Sequence, residues 1–324
     1  MIYRAVQPSE LDRLRHLLVT DPASPLTAGQ FQMRLERGEY RPDWVWIAEK
    51  NPGEAPAAAA VWWATAGETL PAALDGLYAA ARAGSARDGH AEDRVRLAAG
   101  LLTAGHEAFA AAGRTRPPDF HMFLPSGWRE RPEVMSAANW RLAAARRAGL
   151  TDMLERLRLE WTPASGVPQT TGRLTFRRES DDEVFADLFS RALAGTLDVT
   201  SRKEAEASGA QAQARQDVRF YRERMSGERS WWRVAETRAG EVTGFGIPSR
   251  NTDVPVVGYL GVLPEHRGHG YVDEILAELT RILVAEAGAT KIHADTDLEN
   301  RPMAAAFERA GYRTIGHRLV LSAS

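Results

Sequence analysis

Residues 264–273 read Pro-Glu-His-Arg-Gly-His-Gly-Tyr-Val-Asp, and their types and spacing suit the binding of an anion. Gly268 and Gly270 permit close backbone approach and a positive φ. Upstream, PVVGYLGVL is an apolar run bounded by Pro255 and Pro264, which predicts a buried strand. Downstream, Ile275, Leu276, Leu279, Ile282 and Leu283 share one face of a predicted helix. A strand entering a helix through a glycine turn aims backbone N–H groups at one point. The helix start adds partial positive charge, worth about 0.3–1 kcal/mol at an exposed site. With Arg267 as a charged donor, the segment predicts a pyrophosphate cradle. The plain alternative is a solvated turn. Dinucleotide binding fits less well, because the three-glycine spacing and the downstream acid do not occur together. Glu265, His266 and His269 lack a third convergent ligand, so phosphate contact or solvent exposure is expected there and no metal.

The elements that must hold this loop follow from the rest of the chain. Its 324 residues suggest two domains. With 44% hydrophobic and 26% charged residues, it has apolar side chains enough for two cores. A net charge of −2 gives no global field for nucleic acid. No run approaches the ~20 apolar residues that span a bilayer. The N-terminus lacks the basic-then-apolar pattern of a signal peptide, so a cytoplasmic location is expected. Without cysteine there is no disulfide, thiolate metal site or cysteine nucleophile.

Thr162 to Thr171 (TPASGVPQTT) reads as a linker, rich in Pro, Gly, Ser and Thr. The halves on either side share a pattern. IYRAV, Ser9 and the helical SELDRLRHLL parallel LTFRR, Ser180 and SDDEVFADLFSRAL. Ser9 and Ser180 are placed to cap those helices. Trp46–Glu49 parallels Arg233–Glu236, and Ala143–Leu150 parallels Ala305–Tyr312. Three matches in one order suggest a duplicated unit of about 150 residues, against chance similarity between Ala/Arg-rich segments. The expected class is α/β, with strands and helices mixed in each half (an α+β mixed sheet). Expected boundaries are 1–161 for the first domain, 162–172 for the linker and 173–324 for the second.

At these residues the chain resembles the GNAT superfamily of N-acetyltransferases. Their signature, Arg/Gln-x-x-Gly-x-Gly/Ala, matches Arg267-Gly268-His269-Gly270-Tyr271-Val272. Leu260-Gly261-Val262 matches the family strand whose backbone holds the acyl carbonyl and the pantetheine arm. DTDLENRPMAAAFERAGY matches the second motif, with Asn300, Met303, Phe307 and Gly311 in register. The resemblance covers residues 173–322 well and 1–161 in outline. It implies two tandem GNAT-like domains, acetyl-CoA as acyl donor and a small-molecule amine as acceptor. The loop, strand and second-motif residues are implied to contact the donor.

The sequence departs from that pattern at the places that move protons. Val272 stands where Gly or Ala is usual. Phe307 stands where many relatives have a Tyr that protonates the leaving thiolate, with Tyr312 a substitute or a core aromatic. Val256, Val257 and Gly258 occupy strand positions where relatives often carry a base. A base matters because an amine of pKa ~10.4 costs about 4.6 kcal/mol to deprotonate at pH 7. The candidates are Asp198, in a Thr-Leu-Asp run similar to bacterial members, and Asp297; their plain readings are a helix cap and a turn-forming acid. Alternation puts Asp295 and Asp297 on one strand face. Trp231, Trp232 and Tyr259 are expected to pack, and Asp253 to form a turn.

In the first half, the region corresponding to the cradle lies between the strand at Ala57–Ala64 and the helix at Ala91–Ala112. It has no Arg-x-x-Gly-x-Gly turn and reads as a long Ala/Gly loop. Ordering such a loop around pyrophosphate would cost entropy. This half therefore reads as a degenerate copy that covers the second domain, shapes the acceptor site or mediates a homodimer, with His121–Val134 as a candidate binding loop. Two other functions fit the chain: a non-catalytic acyl-CoA sensor, and a transferase using an acyl carrier protein or aminoacyl-tRNA.

Overall fold

The computed structural model describes residues 1–324 except 15, 19–20, 24–25 and 81–87, together with the side chains of 88–90. The chain forms two compact units. One comprises residues 1–155 and 316–324; the other comprises residues 156–315.

The first unit contains β1 (Ile2–Ala5), α1 (Ala28–Glu36), β2 (Val45–Glu49), β3 (Ala58–Trp63), β4 (Ala73–Ala79), α2 (Asp88–Ala111), β5 (Asp119–Pro125), α3 (Pro132–Arg147) and the start of β6 (Leu150–Trp161). The second contains β7 (Leu174–Arg178), α4 (Asp182–Ala192), α5 (Val199–Ser208), α6 (Ala210–Glu223), β8 (Arg233–Thr237), β9 (Val242–Arg250), β10 (Pro255–Val262), α7 (Tyr271–Ala285), β11 (Ile292–Asp297), α8 (Arg301–Arg309) and the start of β12 (Arg313–Ala323).

Both units follow one plan. Four antiparallel strands lead into a parallel pair, β4 with β5 and β10 with β11, and a sixth strand closes the sheet antiparallel to the fifth. That sixth strand comes from the other half of the sequence. Residues 316–321 of β12 pair with β5, and residues 156–161 of β6 pair with β11. The compact units therefore differ from the sequence-drawn boundaries at 161 and 173. Strand pairing assigns these short pieces, and composition carries no signal for it.

Alternation along each strand builds a core on both faces of each sheet. In β3, Ala58, Ala60 and Trp62 join the core under α2 and α3, while Ala59 and Val61 join the one with Phe31 and Tyr40. In β9, Phe245 packs with Phe185 and Phe189 of α4. The intervening Gly244 and Gly246 face α7. A Cβ at Gly246 would lie 2.6 Å from Leu279, so glycine lets the helix behind the cradle settle on the sheet. Trp231 and Trp232 are buried in opposite cores of this unit.

Several local expectations change. Asp181, not Ser180, caps α4, accepting from the Glu183 N–H at 2.9 Å. Ser9 lies inside a short 3-10 helix, Pro8–Leu14, rather than capping an α-helix. The long Ala/Gly loop of the first half contains strand β4, and α2 begins at its end, at Asp88; residues 81–87 between them lie outside the described residues. The linker is ordered within the second unit, where Trp161 donates to Gly166 O at 2.9 Å and Ser165 to Gly311 O at 2.7 Å. Trp128 is buried beneath the Arg129 guanidinium, which also pairs with Glu155, so these two residues are packing groups. No helix among the described residues is long and apolar enough to cross a membrane.

Candidate functional site

The site of the second unit begins where two strands part. β10 and β11 share one paired position, Val256 with His293, and then separate. The separation starts at a bulge at Gly258, between the register positions of Val257 and Tyr259. Tyr221 of α6 donates its hydroxyl to Gly258 O at 2.7 Å and so holds the bulge. The Leu263 N–H bonds Thr243 O of β9 at 2.9 Å. Antiparallel strands alternate the direction of their backbone groups, so the N–H groups of Leu260 and Val262 point away from β9, into the gap.

The glycine loop lies at the end of the same strand. Gly268 and Gly270 have φ of +80° and +72°, and Gly270 is the left-handed residue preceding α7. The N–H groups of Gly268, His269 and Gly270 find no acceptor among the described residues. The first N–H groups of α7 follow them, with no partner inside the helix. Nothing lies within 4 Å of a Cβ built on Gly268. This is an open concavity of backbone donors at a helix start, which suits a phosphate or pyrophosphate.

The predicted role of Arg267 changes. Its Nε donates to Val262 O at 3.1 Å, Nη1 to Ala194 O at 2.6 Å and Nη2 to Ala192 O at 2.7 Å. The guanidinium thus ties the loop to the strand end and to the end of α4, rather than extending into the cradle. Arg173 ties the loop from the other side, donating to His269 O at 2.8 Å and Gly270 O at 3.3 Å. Its Nε meets Glu274 of α7 at 2.9 Å. Burial would raise the Glu274 carboxyl, but hydrogen bonds from Thr171 and Arg173 prevail and hold it below the ordinary carboxylate value. His269 stacks on Tyr271 with ring centres 5.8 Å apart. Val272 lies in the first turn of α7, half-buried.

A cavity of about 530 Å³ opens from the strand gap. Tyr259 and Leu260 line it from β10, Asp295 and Thr296 from β11, and Asn300, Met303 and Phe307 from α8. The predicted donor-binding side chains of the second motif thus share a cavity with Asp198 and Asp295. Asn300 also caps α8, accepting from the Met303 N–H at 3.4 Å. Asp198 lines the far wall with residues of α5 and α6.

The three predicted proton-transfer groups hold structural positions. Asp198 caps α5, accepting from the Ser201 N–H at 2.8 Å, and its other oxygen accepts from Arg156 Nη2 at 3.2 Å. Asp297 is buried, accepts from the Val199 N–H at 2.7 Å and lies 3.1 Å from Arg156 Nε in a charge contact. It does not line the cavity, although Asp295 does. Tyr312 is a core residue, its hydroxyl 2.8 Å from Thr280 Oγ1 and its ring against Phe307. Burial raises its pKa, opposing ionisation, and it lines none of the cavity wall.

Arg156 and Asp217 are among the cavity residues that went unmarked in the sequence. Arg156 belongs to β6, so it reads as part of the first half until strand pairing brings it to β11. Asp217 lies in α6, in a stretch whose polar residues resemble any solvated helix face. Its carboxylate accepts from Gln213 Nε2 at 2.9 Å. Burial, with a smaller push from Asp198 that the Gln213 hydrogen bond opposes, raises its pKa to about 6.

Comparison with known proteins agrees with this geometry. The family model described as an acetyltransferase (GNAT) domain matches residues 173–313. A GCN5-related N-acetyltransferase from Sphaerobacter thermophilus has a similar fold, with a TM-score of 0.57 at 15% identity, over 98% of this chain and 94% of that one. A tandem GNAT protein from the clavulanic acid biosynthesis pathway gives 0.51 at 18%, over 99% and 98%. A glucosamine N-acetyltransferase region of a fungal multi-domain β-N-acetylglucosaminidase gives 0.56 at 15%, over 98% of this chain and 38% of that one. No curated protein matches the sequence. The whole chain thus has the mixed α/β fold of two tandem GNAT units. Residues 173–313 thus form a GNAT acetyltransferase domain.

Proposed function

We propose that the second unit transfers the acetyl group of acetyl-CoA to an amine of a small molecule by direct attack on the thioester. The observation that carries this reading is the strand gap. It places the outward N–H groups of Leu260 and Val262 between the donor loop and the cavity. A pantetheine arm is an extended chain of amides, and the unpaired edge of β10 suits it as a missing strand would. The loop at Gly268, His269 and Gly270 suits the pyrophosphate at one end of that arm. The thioester then lies at the cavity, where a backbone N–H near Val262 is placed to stabilise the oxyanion formed on attack. Phe307 cannot protonate the departing thiolate, so solvent supplies that proton. The cavity side chains carry more acidic than basic groups, which favours a cationic acceptor. The first unit has its own gap, since among the described residues β4 and β5 pair only at Ala73–Asp119 and Leu74–Phe120, and its proposed roles are cover or dimer surface.

The test is enzyme-dependent thiol release from acetyl-CoA across a panel of small primary amines, with calorimetric titration of acetyl-CoA. His269→Glu, which puts a carboxylate in the cradle at an exposed position, should weaken acetyl-CoA binding at least tenfold while the fold persists. Wild-type protein that binds neither acetyl-CoA nor CoA would sink the proposal.

A further inference from the structure

We propose that Asp217 is the catalytic base, the carboxylate that takes the proton of the acceptor amine. This rests on the acyl-transfer reading above and names the residue that reading lacks.

The first ground is position. Asp217 and Tyr221 are four residues apart on one face of α6. The Tyr221 hydroxyl touches Gly258 O at the bulge where β10 leaves β11. Asp217 therefore lies one helical turn, about 5.4 Å along the axis, from the residue whose side chain reaches the bulge. It lines the same cavity as Tyr259 and Leu260.

The second ground is elimination among the cavity carboxylates. Asp198 is engaged by Arg156 and by the start of α5. Glu204 and Asp295 interact with other groups of the chain. Asp217 has no cationic partner among the described residues; its hydrogen bond comes from the neutral amide of Gln213. That amide is buried and is held in turn by Glu204 at 2.9 Å, which fixes the carboxylate at the cavity wall.

The third ground is environment. Phe220 and Tyr221 flank Asp217 on α6, and Tyr259 faces the cavity from β10. The charged groups around it are Asp198 and Glu204 of α5, Asp295 of β11 and Arg156 of β6, the last engaged by Asp198 and Asp297. An aromatic wall and an excess of negative charge both favour the protonated form. A carboxyl titrating near 6 is ionised at pH 7 and still basic enough to accept a proton in the transition state.

The step balances. The acceptor ammonium gives one proton to the Asp217 carboxylate. The freed nitrogen lone pair forms the C–N bond at the thioester carbonyl. The C–S electrons leave with the CoA thiolate, which takes through solvent the second proton that the nitrogen loses, while the third stays on the amide nitrogen. Asp217 returns its proton to water, and the products are the amide, CoA thiol and one released proton.

The experiment measures thiol release from acetyl-CoA by wild type, Asp217→Asn and Asp198→Asn between pH 5 and 9. The probe acceptors are 1,4-diaminobutane, which is protonated at neutral pH, and hydroxylamine, which is largely neutral there. Wild-type kcat with the diamine should rise through an apparent pKa near 6. Asp217→Asn should lose about 10²-fold in kcat with the diamine, lose the acidic limb, lose far less with hydroxylamine and keep its KM for acetyl-CoA. Asp198→Asn should keep the acidic limb. If Asp217→Asn keeps the limb and stays within a few-fold of wild type on the diamine, Asp217 is not the base while acyl transfer stands. If wild type binds no acetyl-CoA or releases no thiol with either probe, the acyl-transfer reading fails and this assignment fails with it.

Discussion

Substitution of Arg267 separates two ways in which a signature arginine can serve a phosphate loop. If the guanidinium contacts the pyrophosphate, its charge is what matters. The structure instead places three of its donors on the carbonyls of Val262, Ala192 and Ala194. Hydrogen bonds from a charged donor are worth about 1.5–3 kcal/mol each when buried, and less in sum when one is exposed, as the Ala194 bond is. We therefore expect Arg267→Ala to lower unfolding stability by about 2–4 kcal/mol. Releasing the anchor also frees part of the loop. If about two residues must be reordered on binding, at 1–2 kcal/mol each, acetyl-CoA affinity falls by roughly 30- to 1,000-fold. Lysine keeps the charge but loses the planar fork, so Arg267→Lys should resemble Arg267→Ala in both stability and Kd. Urea denaturation and calorimetric titration at two salt concentrations measure all of this. Should Arg267→Lys bind within threefold of wild type while Arg267→Gln loses affinity, the charge acts directly on the phosphate and the anchoring argument is refuted.

Two further outcomes follow from the cavity wall. Arg156→Met removes the cation from two carboxylates, one of them buried, and should destabilise the protein by about 3–5 kcal/mol, with Asp297→Asn in the same chain restoring at least half in a double-mutant cycle; a loss under 1 kcal/mol would show that the ion pair holds nothing. Asp217→Asn should stabilise the protein in alkaline solution, because burial raises the native carboxyl from 3.8 to about 6 and the folded state carries a disfavoured charge above that value. The gain, on the order of 1–2 kcal/mol after allowing for solvent screening, should be complete well above pH 6 and shrink to a small remainder by pH 4, vanishing only below the unfolded value of 3.8, where both states of the wild type are protonated. Denaturation midpoints at pH 4, 6 and 8 check it, and a gain that grows toward low pH would have the wrong sign.

The glycine loop and its flanking elements were legible in the sequence because they are local. A strand, a two-glycine turn and an amphipathic helix follow one another within 31 residues, from Pro255 to Ala285, and their signals lie in neighbouring side chains. The second motif was legible for the same reason, as were the packing roles of Trp231 and Trp232. Elements with weak local signals were misread. Ala73–Ala79 (ALDGLYA) has Asp75 and Gly76 in its middle, which break a strand signal, and forms one because Ala58–Trp63 lies beside it to pair with. Ser180 and Asp181 are both good caps, and only backbone geometry chose between them.

The proton-transfer half was not legible, and the residues show why. Asp198 and Asp297 are acids at plausible places, yet Arg156 engages both, and it lies 42 residues from one of them in the chain. Asp217 differs from the solvated acids of any helix only in what surrounds it. The sequence by itself determined the GNAT domain of residues 173–313, the duplicated plan and the loop that suits a pyrophosphate, because each depends on residues adjacent along the chain. Only the tertiary structure decided which sixth strand closes each sheet and that Asp217 has no cationic partner among the described residues. Strand exchange depends on pairing between distant segments, and a carboxyl pKa depends on burial and neighbouring charge that exist only once α6 packs beside the parted strands.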